Sequence, residues 1–194
     1  MITADFLGKV AGGVALFAFV PYIISILRGK TKPSFASWFI WTVVGFMIAS
    51  SYYYSGADST IWMAISYFVG PLIVTILSVK YSDSNLNLLD KTCLFLVGLS
   101  VVVWGLSGSP LLALLINIFA DFLGAIPTIR KAYKGPASED RLAWSLYFAS
   151  SMINLFAVEE WVFSIAVYPI YMFLGVGLTT ILVFKSKSRT HTNP

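Results

Sequence analysis

One carboxylic acid stands in the middle of a long apolar stretch: Asp121, eleven residues beyond Pro110 in the run from Pro110 to Ile129. At about 1.5 Å of rise per helical residue, this places it near mid-depth of a hydrocarbon layer roughly 30 Å thick. An ionisable group there costs about 2.5 to 3.5 kcal/mol on insertion scales, so one that persists normally faces an interior cavity. Apart from Lys9, at the leading end of the first run, the apolar runs contain no Lys or Arg to pair with it. Such a carboxyl must be protonated, hydrated or bound to a ligand. Two kinds of chemistry follow: recognition of a cationic or hydroxyl-bearing solute, and carriage of a proton.

Asn117 lies one helical turn before Asp121, and Gly124 and Thr128 continue the same face, forming a polar and small stripe. A second stripe, Tyr147, Ser151 and Asn154, falls at i, i+4 and i+7 in a later run. Trp41 occupies the position in an early run that corresponds to Tyr147, with Gly45 and Ile48 following it. The binding set expected from the sequence is therefore Asn117, Asp121, Trp41, Tyr147, Ser151 and Asn154, with Trp41 and Tyr147 offering flat surfaces for stacking. Asn and Ser also serve as plain helix–helix contacts in membranes, and for Asn154 and Ser151 the two readings weigh equally.

Other chemistries lack material. A single Cys and a single His cannot build a disulfide framework or a zinc site, and no cofactor is expected. His191 sits in the polar tail, and Cys93 is read as packing. An intramembrane enzyme would need a nucleophile with its base, or two carboxylates at one depth. Asp121 is alone, so the chain is not read as an enzyme. A retinal-type sensor needs a Lys deep in the last span, whereas Lys185 lies at its edge.

The elements that position these residues are long and apolar. Apolar residues make up 58% of the 194 and charged ones only 11%, where soluble domains carry about 25%; mean hydropathy is +0.81. The sequence therefore reads as an all-α integral membrane protein. Seven spans are expected, at 6–27, 35–54, 60–79, 92–106, 110–129, 142–158 and 161–184, the fourth of them short. The runs are continuous, whereas a barrel would alternate in segments of about ten residues. The first span has only Lys9, set against Asp5, in its leading segment and is read as retained rather than cleaved.

Twelve of the thirteen basic residues fall in the 1–2, 3–4 and 5–6 loops and the tail, while Lys9 shares the opposite side with Asp5, Asp58, Glu159 and Glu160. The positive-inside rule then puts the N-terminus outside and the C-terminus in the cytoplasm, across a plasma or inner membrane. The net charge of +4 is thus topological, and nucleic acid is not expected as a partner. Three basic residues in the tail fall short of a polybasic lipid-binding cluster. Trp38, Trp62, Trp104, Trp144 and Trp161 lie near span ends and are read as interfacial belt residues.

The chain also repeats itself. Pro21, Gly29, Trp38 and Trp41 recur with identical spacing as Pro127, Gly135, Trp144 and Tyr147; after a one-residue slip, Gly70, Thr75-Ile76-Leu77 and Lys80 match Gly175, Thr180-Ile181-Leu182 and Lys185. Spans 1–3 resemble spans 5–7, and span 4 remains as connector. Three spans plus one linker bring both copies in from the same side, so the repeats are parallel. The expected division is 1–80 for the first three-helix repeat, 81–109 for linker helix and loops, 110–185 for the second repeat and 186–194 for a cytoplasmic tail. Pro21 and Pro127 each remove a helical hydrogen bond near the inner end of a span, which suits paired hinges of an inner gate.

On these features the chain resembles the SWEET and PQ-loop transporter superfamily: a 3+1+3 arrangement, N-terminus outside, with a Pro before a basic loop in spans 1 and 5. The naming dipeptide is absent, since Pro21-Tyr22 and Pro127-Thr128 stand there. Spans 2 and 6 lack the further hinge prolines of sugar-transporting members, and span 3 has no Asn in the sugar-binding position, so sugar specificity is not carried over. The resemblance implies two three-helix bundles that rock about a central pathway. The expected function is transport or facilitated passage of a small polar solute, a sugar, amino acid or vitamin-like compound, with a proton link through Asp121. The alternative is a non-transporting membrane scaffold, assembly or sensor protein of the same architecture. The lipid bilayer and a small solute are the expected partners, and assembly into a homo-oligomer stays open.

Overall fold

A computed structural model describes residues 3–29, 35–81, 88–134 and 141–185. All regular structure among them is helical: α1 (Ala4–Phe17), α2 (Val20–Leu27), α3 (Phe35–Tyr54), α4 (Ile61–Tyr81), α5 (Leu88–Ser107), α6 (Pro110–Lys134), α7 (Arg141–Phe156) and α8 (Phe163–Lys185). Each expected span coincides with one helix, except the first, which is built from α1 and α2.

Helix α1 starts on a Thr3 cap whose hydroxyl accepts the Phe6 amide at 3.2 Å, satisfying one of the amides orphaned at a helix start. The break between α1 and α2 falls at Ala18 and Phe19. Pro21 has no amide proton, so the Phe17 carbonyl loses its helical donor, and the chain tightens there through a bond from the Phe19 amide to the Leu16 carbonyl at 3.1 Å. Helix α6 instead runs unbroken through Pro127, whose side chain lies outside the described residues. The two prolines thus do not interrupt their helices alike. Helix α5 begins at Leu88, before Asp90 and Lys91, and is longer than the expected fourth span; charged side chains end an apolar run, but an acid suits the first turn of a helix and Lys is a good helix former.

In the packing, α1 lies against α4 and α4 against α3; correspondingly α6 lies against α8 and α8 against α7. Helix α1 also lies against α7 and α3 against α6, while α5 packs on α6 and more lightly on α3. Small residues set the closest approach. A Cβ on Gly8 would fall 1.6 Å from the Ser59 carbonyl oxygen, and one on Gly12 2.7 Å from that of Trp62. Beside them the Ser66 hydroxyl donates to the Gly12 carbonyl at 2.7 Å, and Ser150 of α7 donates to the Ala11 carbonyl at 2.7 Å. Ala11, Ala15 and Ala18, the face of span 1 that corresponds to the Asp121 stripe, are buried in this packing.

Three helical stretches, Ala4–Ile24, Ile61–Lys80 and Phe163–Lys185, are long and apolar enough to cross a membrane, and Lys91–Ser107 and Pro110–Ile126 are shorter apolar helices. Large apolar side chains, among them Phe6, Phe17, Ile76, Phe95, Leu106 and Ile181, point outward.

Candidate functional site

Asp121 is buried, with 6% of its surface exposed. Helix α6 carries it to where α4 and α8 also present tyrosines. One carboxylate oxygen, Oδ1, accepts a hydrogen bond from the Tyr67 hydroxyl of α4, and Oδ2 accepts from the Tyr171 hydroxyl of α8 at 2.5 Å. The carboxyl group of α6 is therefore held by one donor from α4 and one from α8. Among the described residues it forms no ion pair; the one found joins Lys9 to Asp5 at the protein surface, at 2.8 Å.

Several buried polar atoms have no hydrogen-bond partner: the hydroxyls of Tyr147 and Tyr168, and both the nitrogen and oxygen of the Asn154 amide. The Tyr147 and Tyr168 hydroxyls lie within electrostatic range of Asp121. Asn154 stands two turns from Tyr147 on the same face of α7 and is fully buried. Unmatched buried amides and hydroxyls are rare and costly, and each calls for a water, an ion or a ligand to complete it.

The other expected site residues are placed less uniformly. Asn117 turns its amide toward α5, donating to the Ser100 hydroxyl at 2.9 Å and to the Ala113 carbonyl of its own helix at 2.8 Å, while its Oδ1 stays unmatched. Ser151 is buried and donates to the Phe148 carbonyl one turn back at 2.8 Å. Trp41 reaches α6 with its indole nitrogen 3.1 Å from where a Cβ on Gly124 would stand. Asp121 and Tyr147 thus share one neighbourhood, Trp41 lies one turn along α6 from it, and the Asn117 amide is engaged at the α5–α6 contact.

Aromatic rings bound this centre at both ends. Toward the α2 end, Phe19 meets Tyr147 edge-on at 5.6 Å and Trp38 at 6.2 Å, and Trp38 meets Trp41 at 5.1 Å. The Trp38 indole also donates to the Tyr22 hydroxyl at 3.3 Å. Phe19, placed by the break before Pro21, lies so close to Gly70 that a Cβ there would overlap its ring. Toward the opposite end, Tyr52 and Tyr168 pack with ring centres 5.1 Å apart, and the Tyr52 hydroxyl bonds Thr60 at 2.6 Å and the Ile165 carbonyl at 2.6 Å. Beyond them the Ser59 hydroxyl donates to Glu159 at 2.8 Å, which gives one of the acids that share a side with Lys9 a specific partner.

Sequence reasoning missed Tyr67, Tyr168 and Tyr171. The signal was present: Tyr168 and Tyr171 fall at i and i+3 in an apolar run, and a buried carboxylate needs donors that a chain without intramembrane cations can supply only from hydroxyls and amides. Chemically, the arrangement can hold a proton or a positively charged group at Asp121 and bond a polar group beside it. Compared with family models, with curated protein sequences and with solved structures, the chain finds no match.

Proposed function

We propose that this chain is an integral membrane protein of seven spans, N-terminus outside and C-terminus cytoplasmic, that moves a small polar solute by alternating access between two three-helix bundles. The observation that carries the reading is Asp121: a buried carboxyl group, bonded by Tyr67 of α4 and Tyr171 of α8, with unmatched hydroxyls nearby. A group so costly to bury is retained where it binds something.

The packing supports the two-bundle arrangement. Exchanging α1 with α6, α3 with α7 and α4 with α8 turns the α1–α4 and α4–α3 contacts into α6–α8 and α8–α7, and turns α1–α7 into α6–α3. That pattern is what two parallel repeats facing each other across a two-fold axis along the membrane normal would produce. Outward-facing apolar side chains and three membrane-length helices support the bilayer setting. The ring layers at either end of the Asp121 centre suit gates, with Phe19, Trp38 and Tyr147 on the cytoplasmic side and Tyr52 and Tyr168 on the outer side.

The test is uptake into proteoliposomes holding the purified chain, with labelled sugars, amino acids, amines and vitamins as the panel. Saturable uptake above that of empty vesicles is expected for at least one compound. Uptake of none would leave the scaffold reading in its place. In the active case Asp121→Asn should flatten the dependence of uptake on pH; an unchanged profile would remove the proton link.

A further inference from the structure

We propose that the solute accepted at Asp121 is an organic cation with N–H donors, a protonated amine or guanidine with a polar group a few bonds away, rather than a sugar or another neutral compound. The inference deepens the transport reading and rests on it. It follows from counting lone pairs and charge around a single residue.

Each carboxylate oxygen of Asp121 accepts one tyrosine hydroxyl, from Tyr67 on Oδ1 and from Tyr171 on Oδ2. A carboxylate offers about four acceptor directions, so roughly two remain. Both donors are neutral, and among the described residues no cation pairs with the group. Hydrogen bonds alone therefore leave a full negative charge in a region of low dielectric, which is strongly unfavourable. A neutral polyol could fill the remaining acceptor directions but would not cancel the charge. A quaternary ammonium would cancel the charge but has no proton to place on the oxygens. A protonated amine or guanidine does both, and its N–H donors to an ionised oxygen form the stronger class of hydrogen bond.

The second half of the ligand is read from the unmatched atoms. The Tyr147 and Tyr168 hydroxyls, both in electrostatic range of Asp121, can each donate and accept. A proton at Asp121, with waters on these atoms, is the competing occupancy, and silence from every amine in the titration below selects it. A hydroxyl, carbonyl or second amine on the solute answers them.

The experiment is a thermal-shift titration of the full purified chain at fixed pH and ionic strength. The probes are ethanolamine, putrescine and agmatine, each beside a neutral diol of matched length, together with choline and sodium chloride. A ligand that binds only the folded state raises the melting temperature. At least one N–H cation should give a saturable rise, with its diol at least tenfold weaker. Asp121→Asn should abolish the rise, and Tyr168→Phe should weaken the binding about tenfold, the loss of one good hydrogen bond. Equal stabilisation by the diols, by choline or by sodium alone overturns the proposal, as does silence from all three N–H cations. If Asp121→Asn does not fold, the comparison of each amine with its diol on the wild-type chain decides. Uptake of a neutral solute with no amine binding would sink the cation class and leave transport standing, whereas amine binding with no uptake of any compound would do the reverse.

Discussion

Among the tyrosines around Asp121, the hydroxyl does different work in each. That of Tyr67, on α4, donates to the buried carboxylate on α6, while that of Tyr168 is buried without a partner. Removing a donor from a charged acceptor leaves the acceptor short; removing a hydroxyl that bonds nothing relieves an unmatched group. Tyr67→Phe should therefore lower stability by about 1 to 2 kcal/mol, within the range for charged hydrogen bonds and for interhelical bonds in membranes. Tyr168→Phe should leave it within about 0.5 kcal/mol of the parent, or raise it. Equilibrium unfolding of the two variants in one detergent checks this, and equal losses would show that the ring environment outweighs the hydroxyls. Asp121 was legible in the sequence because a lone acid in an apolar run is conspicuous. Its donors were not, because tyrosine is common at every depth of a hydrophobic helix and its partner is set by three-dimensional packing. For the same reason the Asn117 amide reads as site lining in sequence and meets Ser100 of α5 in the structure.

For the helices, sequence and structure agree closely, since a run of about 20 apolar residues bounded by charge or by Gly, Ser and Pro leaves the backbone little choice. Where they part, the cause is local. The fourth span reads short because hydropathy falls at Asp90 and Lys91, but a helix needs only its backbone bonds and continues through them. Pro21 interrupts the first span and Pro127 leaves its helix continuous, so a shared residue type did not impose a shared shape. Contacts between helices are harder to read, and the glycines show why: Gly8 and Gly13 are alike in sequence yet opposite in surroundings. A Cβ on Gly8 would meet the Ser59 carbonyl at 1.6 Å, whereas one on Gly13 meets nothing within 4 Å. Gly8→Ala must push α1 away from α4, at a cost of about 1 to 3 kcal/mol or more. Gly13→Ala, on an exposed face of the same helix, should be neutral or stabilise by up to about 1 kcal/mol through lower chain entropy in the unfolded state. Melting temperatures of the pair would decide it, and parity between them would mean that α1 is not seated as closely as the structure has it.

At the scale of the whole molecule, the proposed cycle requires the two bundles to part at one end while staying closed at the other, and both ends are held by contacts that cross between them. In the proposed orientation the outer end would be held by the Ser59 bond to Glu159 and the Tyr52 bond to the Ile165 carbonyl, and the inner end by the Phe19 and Tyr147 rings. Pro21 and Pro127, like Trp38 and Trp144, stand 106 residues apart, an offset that suggests two such halves, and the exchange pattern of helix contacts is consistent with it. What crosses the seam was not legible, because Ser59 and Glu159 are a hundred residues apart and lie in loops. If the outer end must open for solute to enter, holding it shut should stop transport without disturbing the fold. Ser59→Cys combined with Glu159→Cys places two thiols where a 2.8 Å hydrogen bond now joins the loops, and Cys93, the one native cysteine, is buried away from them. Bridging the pair with a short bifunctional thiol reagent should abolish uptake in proteoliposomes while each single variant keeps it, and a reagent with a cleavable bridge should restore it on cleavage. The bridged protein should still show the amine-induced rise in melting temperature if ligand is loaded before bridging, because the Asp121 centre is intact behind the closed end. Undiminished uptake by the bridged protein would mean that the bundles do not separate there, and alternating access between them would have to be given up.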